Sequence, residues 1–455
     1  MRSLPEKFVE RVCRDMGAEQ GEALCNALLG EIPTSIRLNP HKPFAQPEGR
    51  PVRWNKFGRY LDLRPSFTLD CGFNAGTYYV QEAGSQFVGH ILENMDVEGV
   101  RLLDMCAAPG GKTTLYSTLV GDEGLVVANE IVRNRAAVLA DNVRKWGLGN
   151  VVVTNNEPRH IATFKSWFDI VAVDAPCSGE GMFRKDEQAR AEWSEANVRM
   201  CAARQAEILD EAWESLADGG LMIYSTCTFN SDENEGTIRA FSERVGNEIV
   251  EAEPISCPED WDIACGREGV WQTFRFYPHR TESEGFFAAV ARKASIGNRP
   301  ATPKPRRKIM NDIGSKARAE LSRWVLRPQK MRFAEVAETC YGYYATRYED
   351  VKNLAESLSV IYSGVAMGRL FQGVLKPDAA LAFFAELNRD AVARAELTKE
   401  EALQYLRKQD VAVEHFKEGM NLVECEGCAL GFAKRIGNRC NNLFPNSLRI
   451  LKTDI

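Results

Sequence analysis

The sequence predicts an α/β protein whose central domain is a doubly wound, mostly parallel sheet with a late antiparallel strand. Between residues 101 and 226, short apolar runs typical of buried strands alternate with amphipathic stretches typical of helices. Such alternation produces parallel strands with helices on both faces of the sheet. The predicted strands are 101–106, 125–130, 151–154, 168–174 and 221–226, the predicted helices are 113–120, 132–146 and 197–216, and the predicted antiparallel pair is 271–276 with 285–292.

The composition is that of a globular protein of about three domains, given 455 residues of which 44% are hydrophobic and 26% charged. No apolar run approaches the roughly 20 residues of a membrane span, and the acidic first 20 residues exclude a signal peptide. Thirteen scattered cysteines, an odd number, indicate reduced thiols and a cytoplasmic protein. A net charge of −6 argues mildly against nucleic acid, so any basic surface must be local.

Residues 1–72 predict a small N-terminal α/β unit. Helical periodicity runs over 4–16 and 22–29, and 32–40 is typical of a strand with Arg37 on one face. A later stretch mixes cations with aromatic rings: Arg50, Arg53, Trp54, Lys56, Arg59 and Tyr60. This mix suits stacked bases and phosphates, but it suits equally a loop that packs on the next domain.

After the central domain, 73–293, the chain becomes basic and rich in proline over a linker at 294–311. Residues 292–308 hold no carboxylate, and they could bind a phosphate backbone or be a merely solvated connection. Their cations are Arg292, Lys293, Arg299, Lys304, Arg306, Arg307 and Lys308.

Two small units follow, an accessory unit at 312–390 and a compact β unit at 391–455, with 378–407 predicted to be helical. The last unit contains three cysteines that could suggest zinc: Cys425, Cys428 and Cys440. A structural zinc site needs a fourth ligand, and no Cys or His follows the third cysteine. We therefore expect no metal.

The chain is organised around a glycine-rich turn between the first predicted strand and helix of the sheet. Gly110 and Gly111 let backbone N–H groups approach a ligand, and the helix N-terminus adds positive potential. A phosphate-binding P-loop needs glycine where Cys106 stands, and the dinucleotide fingerprint is absent. Glu130 ends the next strand, where a carboxylate suits ribose hydroxyls, and Asp104 can accept a hydrogen bond from a cationic or amino group. The turn predicts a nucleoside cofactor, of which S-adenosylmethionine is the common one.

Two cysteines carry the predicted chemistry. Cys177 follows the fourth strand and Cys227 the fifth, and in a sheet ordered 3-2-1-4-5 both would face one crevice with the glycine-rich turn. A free cysteine is usually a small buried hydrophobe, but two at equivalent strand ends are better explained as reactive. A helix that begins just after Cys227 would favour its thiolate.

A methyl donor beside two thiols suits methylation of cytosine at carbon 5. That carbon is a poor nucleophile until a thiolate adds to carbon 6 and turns the ring into an enamine. Loss of the carbon 5 proton and expulsion of the enzyme then need a base. Asp174 is placed to hydrogen-bond the amidine edge of the cytosine.

Three segments resemble the signatures of the Nop/Sun family of RNA cytosine-5 methyltransferases, and two shorter ones also fit. The resemblance spans about 78–290 and implies a class I Rossmann-like methyltransferase domain. The flanks resemble the bacterial ribosomal RNA branch, with an N-terminal RNA-binding unit and a C-terminal PUA-like unit. The segments are Leu103-Asp-Met-Cys-Ala-Ala-Pro-Gly-Gly-Lys-Thr113, Asp174-Ala-Pro-Cys-Ser-Gly-Glu-Gly181, Tyr224-Ser-Thr-Cys-Thr228, Tyr78-Tyr-Val-Gln-Glu82 and Gly285-Phe-Phe287.

The resemblance implies a role for each matching residue. Cys227 would be the nucleophile, Cys177 would assist release, and Lys185 would lie near the cytosine with Asp174. Glu157 stands where the family usually has aspartate. The implied cofactor residues are Cys106, Ala107, Ala108, Pro109, Gly110, Gly111, Lys112, Glu130, Glu157 and Asp174.

The predicted partner is RNA, in the first place ribosomal RNA or the small ribosomal subunit, with transfer RNA as the alternative. We expect a monomer with no membrane contact. A DNA-type enzyme would use Cys177 as nucleophile and leave Cys227 without a role. A P-loop ATPase would hydrolyse nucleotide, and a non-catalytic RNA-binding protein would bind RNA equally well without either thiol.

Overall fold

The computed structural model describes residues 3–451, so the ends of the first and last predicted units, 1–2 and 452–455, lie outside the described residues. The elements of the N-terminal unit are α1 (Glu6–Met16), α2 (Ala18–Leu29), β1 (Thr34–Leu38), β2 (Arg50–Val52), β3 (Asn55–Leu61), α3 (Cys71–Ala75) and β4 (Tyr78–Val80). Its strands form an antiparallel sheet ordered β2-β3-β1-β4. Because β4 completes this sheet, the unit extends past residue 72.

The stretch of cations and aromatic rings at 50–60 packs on the central domain. Trp54 and Tyr60 are buried, and the indole N–H of Trp54 donates to the carbonyl of Ala83 at 2.6 Å. Arg50 donates to the carboxylate of Glu282 at 2.7 Å. The sequence left open whether this stretch stacks on bases or packs on the next domain. For Trp54 and Tyr60 the second interpretation is correct, because buried rings are not available to stack on bases.

The central domain is one sheet with helices on both faces. Its elements are α4 (Phe87–Glu93), β5 (Arg101–Asp104), α5 (Gly111–Val120), β6 (Leu125–Asn129), α6 (Arg133–Trp146), β7 (Val151–Thr154), α7 (Pro158–Ile161), β8 (Phe168–Asp174), α8 (Glu187–Glu192), α9 (Glu195–Ser215), β9 (Leu216–Thr226), α10 (Glu235–Val245), β10 (Ile249–Val250), β11 (Ala264–Glu268), β12 (Trp271–Phe276) and β13 (Phe286–Lys293). The predicted order is confirmed, since β7-β6-β5-β8-β9 are parallel neighbours. The late antiparallel pair, β12 with β13, is also confirmed, and β13 lies antiparallel to β9.

Two apolar layers cover the two faces of this sheet. Successive residues of a strand point to opposite faces, so Leu102 packs with α4, α5 and α6 while Leu103 packs with α9 and α10. Both leucines are fully buried. Burial of apolar surface contributes roughly 25 cal/mol per Å² to the free energy of folding, so these layers stabilise the sheet and the loops at its edge. No helix within residues 3–451 is long and apolar enough to cross a membrane.

The elements of the C-terminal region are β14 (Asn311–Asp312), α11 (Ser315–Ser322), β15 (Met331–Val336), β16 (Thr339–Tyr344), α12 (Tyr348–Ser357), β17 (Val360–Ser363), β18 (Val365–Phe371), β19 (Val374–Pro377), α13 (Ala379–Phe383), β20 (Ala393–Glu396), α14 (Lys399–Leu406), β21 (Gly419–Cys425), β22 (Cys428–Ile436) and β23 (Arg439–Asn442). They form a sheet ordered β14-β15-β16-β18-β19 and a second ordered β20-β21-β22-β23. β17 instead joins the central sheet, antiparallel to β7. Among residues 3–451, no three His, Cys, Asp or Glu side chains gather so as to hold a metal ion.

The prediction that 378–407 is helical is wrong. Only α13 and α14 are α-helical there, and between them β20 pairs in parallel with β21. The local sequence is rich in alanine and glutamate, which favour helix. Pairing with β21 overrides that preference, because it buries Ala395 and leaves Arg394 and Glu396 exposed.

Candidate active site

Both predicted cysteines lie in loops that follow neighbouring strands at the carboxyl edge of the sheet. β8 and β9 pair in parallel up to their last residues, so the two cysteine loops, which follow these strands, lie side by side. Cys177 Sγ and Cys227 Sγ are 3.3 Å apart, and both side chains are half-buried. The backbone N–H of Gly181 donates to the carbonyl of Cys227 at 2.8 Å. The structure thus brings together the two thiols that the sequence singles out.

One buried carboxylate ties the two cysteine loops together. Glu180 lies in the first loop and is 1% exposed. One of its oxygens accepts the backbone N–H groups of Phe229 at 2.7 Å and Asn230 at 3.0 Å, and the other accepts the indole N–H of Trp193 at 3.0 Å. Because each partner is a donor that would be costly to bury alone, the bonds fix the loops in one arrangement.

Glu233 is a second tie and is fully buried. Its oxygens accept the backbone N–H of Ser178 at 2.9 Å, the amide of Gln205 at 2.9 Å and the amide of Asn230 at 2.7 Å. Burial raises the pKa of Glu233, although these hydrogen bonds act in the opposite direction. The loops that carry the thiols are therefore braced from inside the domain.

Asp174 lies at the end of β8 between two donors. Ser225 Oγ donates to Asp174 Oδ1 at 2.9 Å, and Lys112 Nζ lies 2.9 Å from Oδ2. Burial is the largest effect and lowers the pKa of Lys112, but the charge and hydrogen bond of Asp174 together with neighbouring groups outweigh it, so the net pKa is raised. The lysine, which the sequence assigned to the cofactor, thus contacts the carboxylate predicted to hold the cytosine.

The surroundings of Cys177 favour its protonated form. The hydrogen bond with Cys227, followed by burial, raises the pKa of Cys177 well above its ordinary value. The nearby charge of Glu233 acts in the same direction. The raised pKa favours the protonated form of Cys177, whose sulfur lies within hydrogen-bond distance of that of Cys227.

The glycine-rich turn joins β5 to α5 beside the thiols and contains a cis peptide at Ala108–Pro109. Gly110 has φ +112°, in the left-handed region that disfavours any side chain. Two donors occupy carbonyl groups of the turn: Arg135 bonds that of residue 108 at 3.0 Å, and Asn142 bonds that of residue 109 at 2.8 Å. At the start of the turn, burial raises the pKa of the Cys106 thiol.

Arg37 of β1 reaches the same turn from the N-terminal unit. Its fully buried guanidinium donates to the carbonyl of Gly111 at 3.0 Å, to Thr114 Oγ1 at 2.6 Å and to Gln81 Oε1 at 2.7 Å. It also lies 4.3 Å from the ring centroid of Trp146. Burial lowers the pKa of Arg37 to about 9, which leaves it charged at neutral pH.

Two buried carboxylates flank the turn. Asp104 accepts the hydroxyl of Thr113 at 2.6 Å through one oxygen, and its other oxygen has no partner within residues 3–451. Burial raises the pKa of Asp104 to about 7. Glu130 accepts the N–H of Val132 at 2.9 Å and pairs with Arg135 at 3.3 Å. An unpartnered carboxylate oxygen beside a helix N-terminus fits S-adenosylmethionine, which carries both cationic groups and a carboxylate.

Two predicted residues are less closely joined to the site. Glu157 precedes α7, and its exposed carboxylate pairs with Arg159 at 2.7 Å. Lys185 is exposed and makes no hydrogen bond or ion pair with the thiols or Asp174 in the part of the chain that the structure describes. Its charge acts instead on Glu284, a buried carboxyl whose pKa is raised by burial.

Sequence analysis did not anticipate four of the polar contacts. Glu180 and Ser225 lie inside the two cysteine motifs, so their position beside the thiols was an available signal. Glu233 and Arg37 have no local signal, because each bonds a residue far along the chain, 55 and 74 positions away respectively. Such contacts become visible only when the sheet brings the segments together.

Comparison with known proteins agrees with this geometry. Three family models match successive segments: the N-terminal domain of 16S rRNA methyltransferase RsmF at 4–83, 16S rRNA methyltransferase RsmB/F at 91–292, and the methyltransferase RsmF PUA domain at 392–450. The chain is 30% identical to ribosomal RNA small subunit methyltransferase F of Aliivibrio fischeri strain MJ11, over 98% of this chain and 97% of that protein. It is 31% identical to the protein of the same name from Enterobacter sp. strain 638, over 88% and 84% of the two chains.

A solved structure gives the same fold. The crystal structure of a methyltransferase homolog protein from Pyrococcus horikoshii matches with a TM-score of 0.54 and 27% identity, over 64% of this chain and 95% of that one. The predicted Rossmann-like methyltransferase fold and S-adenosylmethionine cofactor are thereby confirmed. With these family models and relatives along nearly its whole length, the chain belongs to the RsmB/F family of 16S rRNA methyltransferases.

Proposed function

We propose that this protein methylates carbon 5 of a cytidine in small-subunit ribosomal RNA through a covalent bond between Cys227 and cytosine carbon 6. The observation that carries the proposal is the pair of thiols 3.3 Å apart, in loops beside Asp174 and the cofactor turn. Methylation of a nitrogen or a ribose oxygen gives neither thiol a role. Family membership supports ribosomal RNA over transfer RNA as the substrate.

Cys227 begins the reaction as the nucleophile. Because its raised pKa favours a protonated Cys177, Cys227 is the sulfur that reacts as a thiolate, with Cys177 as hydrogen-bond donor across the 3.3 Å between them. Its electron pair forms the bond to carbon 6, and the electrons of the carbon 5–carbon 6 double bond move to make carbon 5 nucleophilic. Asp174, oriented by Ser225 and Lys112, hydrogen-bonds the amidine edge, where charge develops.

The glycine-rich turn and the two carboxylates that flank it would hold the cofactor. Asp104 and Glu130 would accept hydrogen bonds from its amino and ribose groups, and the first turn of α5 would face its carboxylate. S-adenosylmethionine supplies a methyl group on a sulfonium, which makes that methyl electrophilic. We propose Cys106 to Lys112 and Glu157 as further residues of this site, as the family resemblance implies.

Release reverses the attack. A base removes the carbon 5 proton, the carbon 5–carbon 6 double bond forms again, and the bond from carbon 6 to Cys227 breaks with its electrons returning to sulfur. Cys177 stabilises that thiolate by donating its S–H across the 3.3 Å between the two sulfur atoms. The pair thereby returns to its starting state.

The test compares two single variants, each mixed with methyl-labelled S-adenosylmethionine and unlabelled ribosomal RNA. Cys227→Ala should bind RNA but give no methylation and no covalent complex. Cys177→Ala should attack and transfer the methyl group, and then remain bonded to the RNA, visible as a shifted band on a denaturing gel. The double variant should lose the band, and Cys265→Ala, which removes an exposed thiol elsewhere, should behave as the unaltered protein.

Two outcomes would contradict the proposal. A stable complex in Cys227→Ala alone would reverse the roles of the thiols and indicate a DNA-type mechanism. Full methylation by both single variants would show that the reaction does not use the two thiols as proposed. Bisulfite sequencing of ribosomal RNA from cells that lack the protein would identify the cytidine.

We also propose that the protein acts as a monomer in the cytoplasm. One chain supplies both thiols, Asp174 and the whole glycine-rich turn. The thirteen free thiols suit a reducing compartment. Sedimentation of the purified protein would test the first statement, and cell fractionation the second.

A further inference from the structure

The linker carries five cations without partners. The basic strap, defined here as residues 299–308, has every one of its Lys and Arg side chains exposed. Within residues 3–451, none of these side chains makes an ion pair or hydrogen bond. The five are Arg299, Lys304, Arg306, Arg307 and Lys308.

Other cations near the strap in the sequence are already used. Arg292 and Lys293, which the sequence grouped with the strap, belong to β13. Arg292 binds Glu253 at 2.6 Å, and Lys293 Nζ donates to the carbonyl of Trp213 at 3.0 Å. Further on, most cations pair with carboxylates within the protein: Arg323 with Glu320, Arg327 with Glu386, Lys330 with Asp122 and Arg332 with Glu349. The unpaired charge is thus concentrated in the strap.

Backbone contacts hold both ends of the strap. Just before it, Asp218 accepts the N–H groups of residues 296–298 at 2.7 to 2.9 Å. Ala301 N–H donates to the carbonyl of Lys165 at 2.9 Å, and Arg306 N–H to that of Glu356 at 3.0 Å. The cations are therefore displayed on a positioned backbone, so a ligand would not have to order a free chain.

The strap is remote from the thiols. Its start is held by Asp218, near the beginning of β9, whereas Cys227 follows the end of that strand. Beside β9, the six residue steps of β8 from Phe168 to Asp174, at roughly 3.3 Å each, place these two ends about 20 Å apart. Its end is held by α12, which leads into β17, and β17 is five strand spacings from β9, or about 24 Å. A nucleic-acid duplex needs about seven base pairs to cover the longer distance.

We infer that the basic strap binds the phosphate backbone of a second RNA segment, separate from the segment that carries the target cytidine. The inference rests on the proposed function, since it takes RNA as the substrate. Five unpaired cations with no carboxylate among them complement phosphates, and no base-reading aromatic ring lies in the strap. The strap therefore adds affinity that depends on the fold of the RNA and not on the sequence around the cytidine.

The first test measures affinity against salt with small-subunit ribosomal RNA. Replacing the five cations with glutamine should reduce the slope of log affinity against log salt by about 4.5, because each phosphate left without its cation lowers the slope by about 0.9. KM should rise while kcat at saturating RNA stays unchanged. A matched control removes five exposed cations that pair with carboxylates on other faces, and its slope should change little: Arg14, Arg239, Arg244, Arg267 and Arg369.

The second test shortens the RNA around the methylated nucleotide. The unaltered protein should bind more weakly when flanking segments are removed, whereas the strap variant should change little, and the two proteins should bind the shortest fragment equally. An equal salt slope for the two proteins on full-length RNA would overturn the inference. The inference would also be overturned if the unaltered protein and the strap variant differed in affinity for the shortest fragment as much as for full-length RNA. Neither result would affect the proposed function, which fails only if the unaltered protein does not methylate cytidine.

Discussion

The two cysteine loops and the glycine-rich turn lie at the same edge of the sheet, but different groups hold them. In the cysteine loops, the buried carboxylates of Glu180 and Glu233 accept N–H groups across the two loops. In the turn, donors from outside bond its carbonyl groups, and one of these donors, Arg37, comes from the N-terminal unit. The carboxylates that join the two cysteine loops therefore belong to the central domain itself, although Phe8 of α1 packs against Trp193, a partner of Glu180. The cofactor turn takes one of its donors directly from the N-terminal unit.

This difference fits the chemistry of each half. The proposed reaction needs the two thiols, 3.3 Å apart, to stay close together, and satisfied buried networks provide a rigid frame for them. A cofactor turn must keep N–H groups free for its ligand, so bracing through carbonyl groups leaves the ligand-binding face unchanged. Variants in the two halves should consequently fail in different assays.

The largest effect is expected for Glu180→Ala. Removing this carboxylate leaves buried donors in both loops without an acceptor, which costs about 1–3 kcal/mol for each. The loops should separate enough to lower methylation by about 100-fold, as displacements near 1 Å can do. Thermal unfolding and the rate of methylation measure the two effects.

Glu207→Ala, which removes an exposed carboxylate from α9, is the matched control and should change neither quantity. If Glu180→Ala lowered stability but kept the full rate of methylation, the loops would not need this tie to hold the thiols.

Glu130→Ala should act on the cofactor half alone. Loss of a buried charged acceptor for the ribose is expected to weaken S-adenosylmethionine binding by about 1–3 kcal/mol, or about 5–150-fold. Calorimetry on the folded variant measures its affinity for S-adenosylmethionine. Glu207→Ala, which removes an exposed carboxylate of α9 outside the cofactor site, is the control and should leave the affinity unchanged. Unchanged affinity in Glu130→Ala would place the ribose elsewhere.

Arg37→Met should weaken cofactor binding through the N-terminal unit. The variant lacks a charged donor to the carbonyl of Gly111, and such bonds contribute about 2 kcal/mol, or about 30-fold in affinity. The covalent complex formed in a Cys177→Ala background should persist at saturating cofactor. Arg50→Met removes an exposed arginine of the same unit and should leave affinity unchanged; an equal decrease there would mean that the turn does not depend on Arg37.

The smallest effect concerns pH. Burial raises the pKa of Asp104 to about 7 in the free protein, and a cationic ligand favours the ionised carboxylate and lowers that pKa. Binding should therefore release up to one proton near pH 6, and affinity should rise about tenfold from pH 6 to pH 8 and then level off. Calorimetry in buffers of different ionisation enthalpy measures the number of protons released on binding. Asp104→Asn should abolish the release, and a release that persists would come from another group.

The sequence predicted most of the central domain because its signals are local. Apolar runs, the glycine-rich turn and the cysteine motifs each occupy a few consecutive residues, and the rule for parallel sheets places Cys177 beside Cys227. The contacts of Arg37 and Glu233 join distant segments, and nothing in a local pattern indicates them. The strand Ala393–Glu396 was missed for the same reason, since its pairing with β21 outweighs its helical composition.

The pairing of β17 with β7 has a consequence for solubility. All four residues of β7 are buried, and β17 covers what would otherwise be the open edge of the central sheet. A chain cut at the linker would expose unpaired N–H and C=O groups along an apolar strand, which is a template for pairing with another copy. The opposite edge, β11, is protected by charged residues of its own, Arg267 and Glu268. The methyltransferase domain is thus not a separable module, and shortened forms should aggregate unless residues 360–363 are retained.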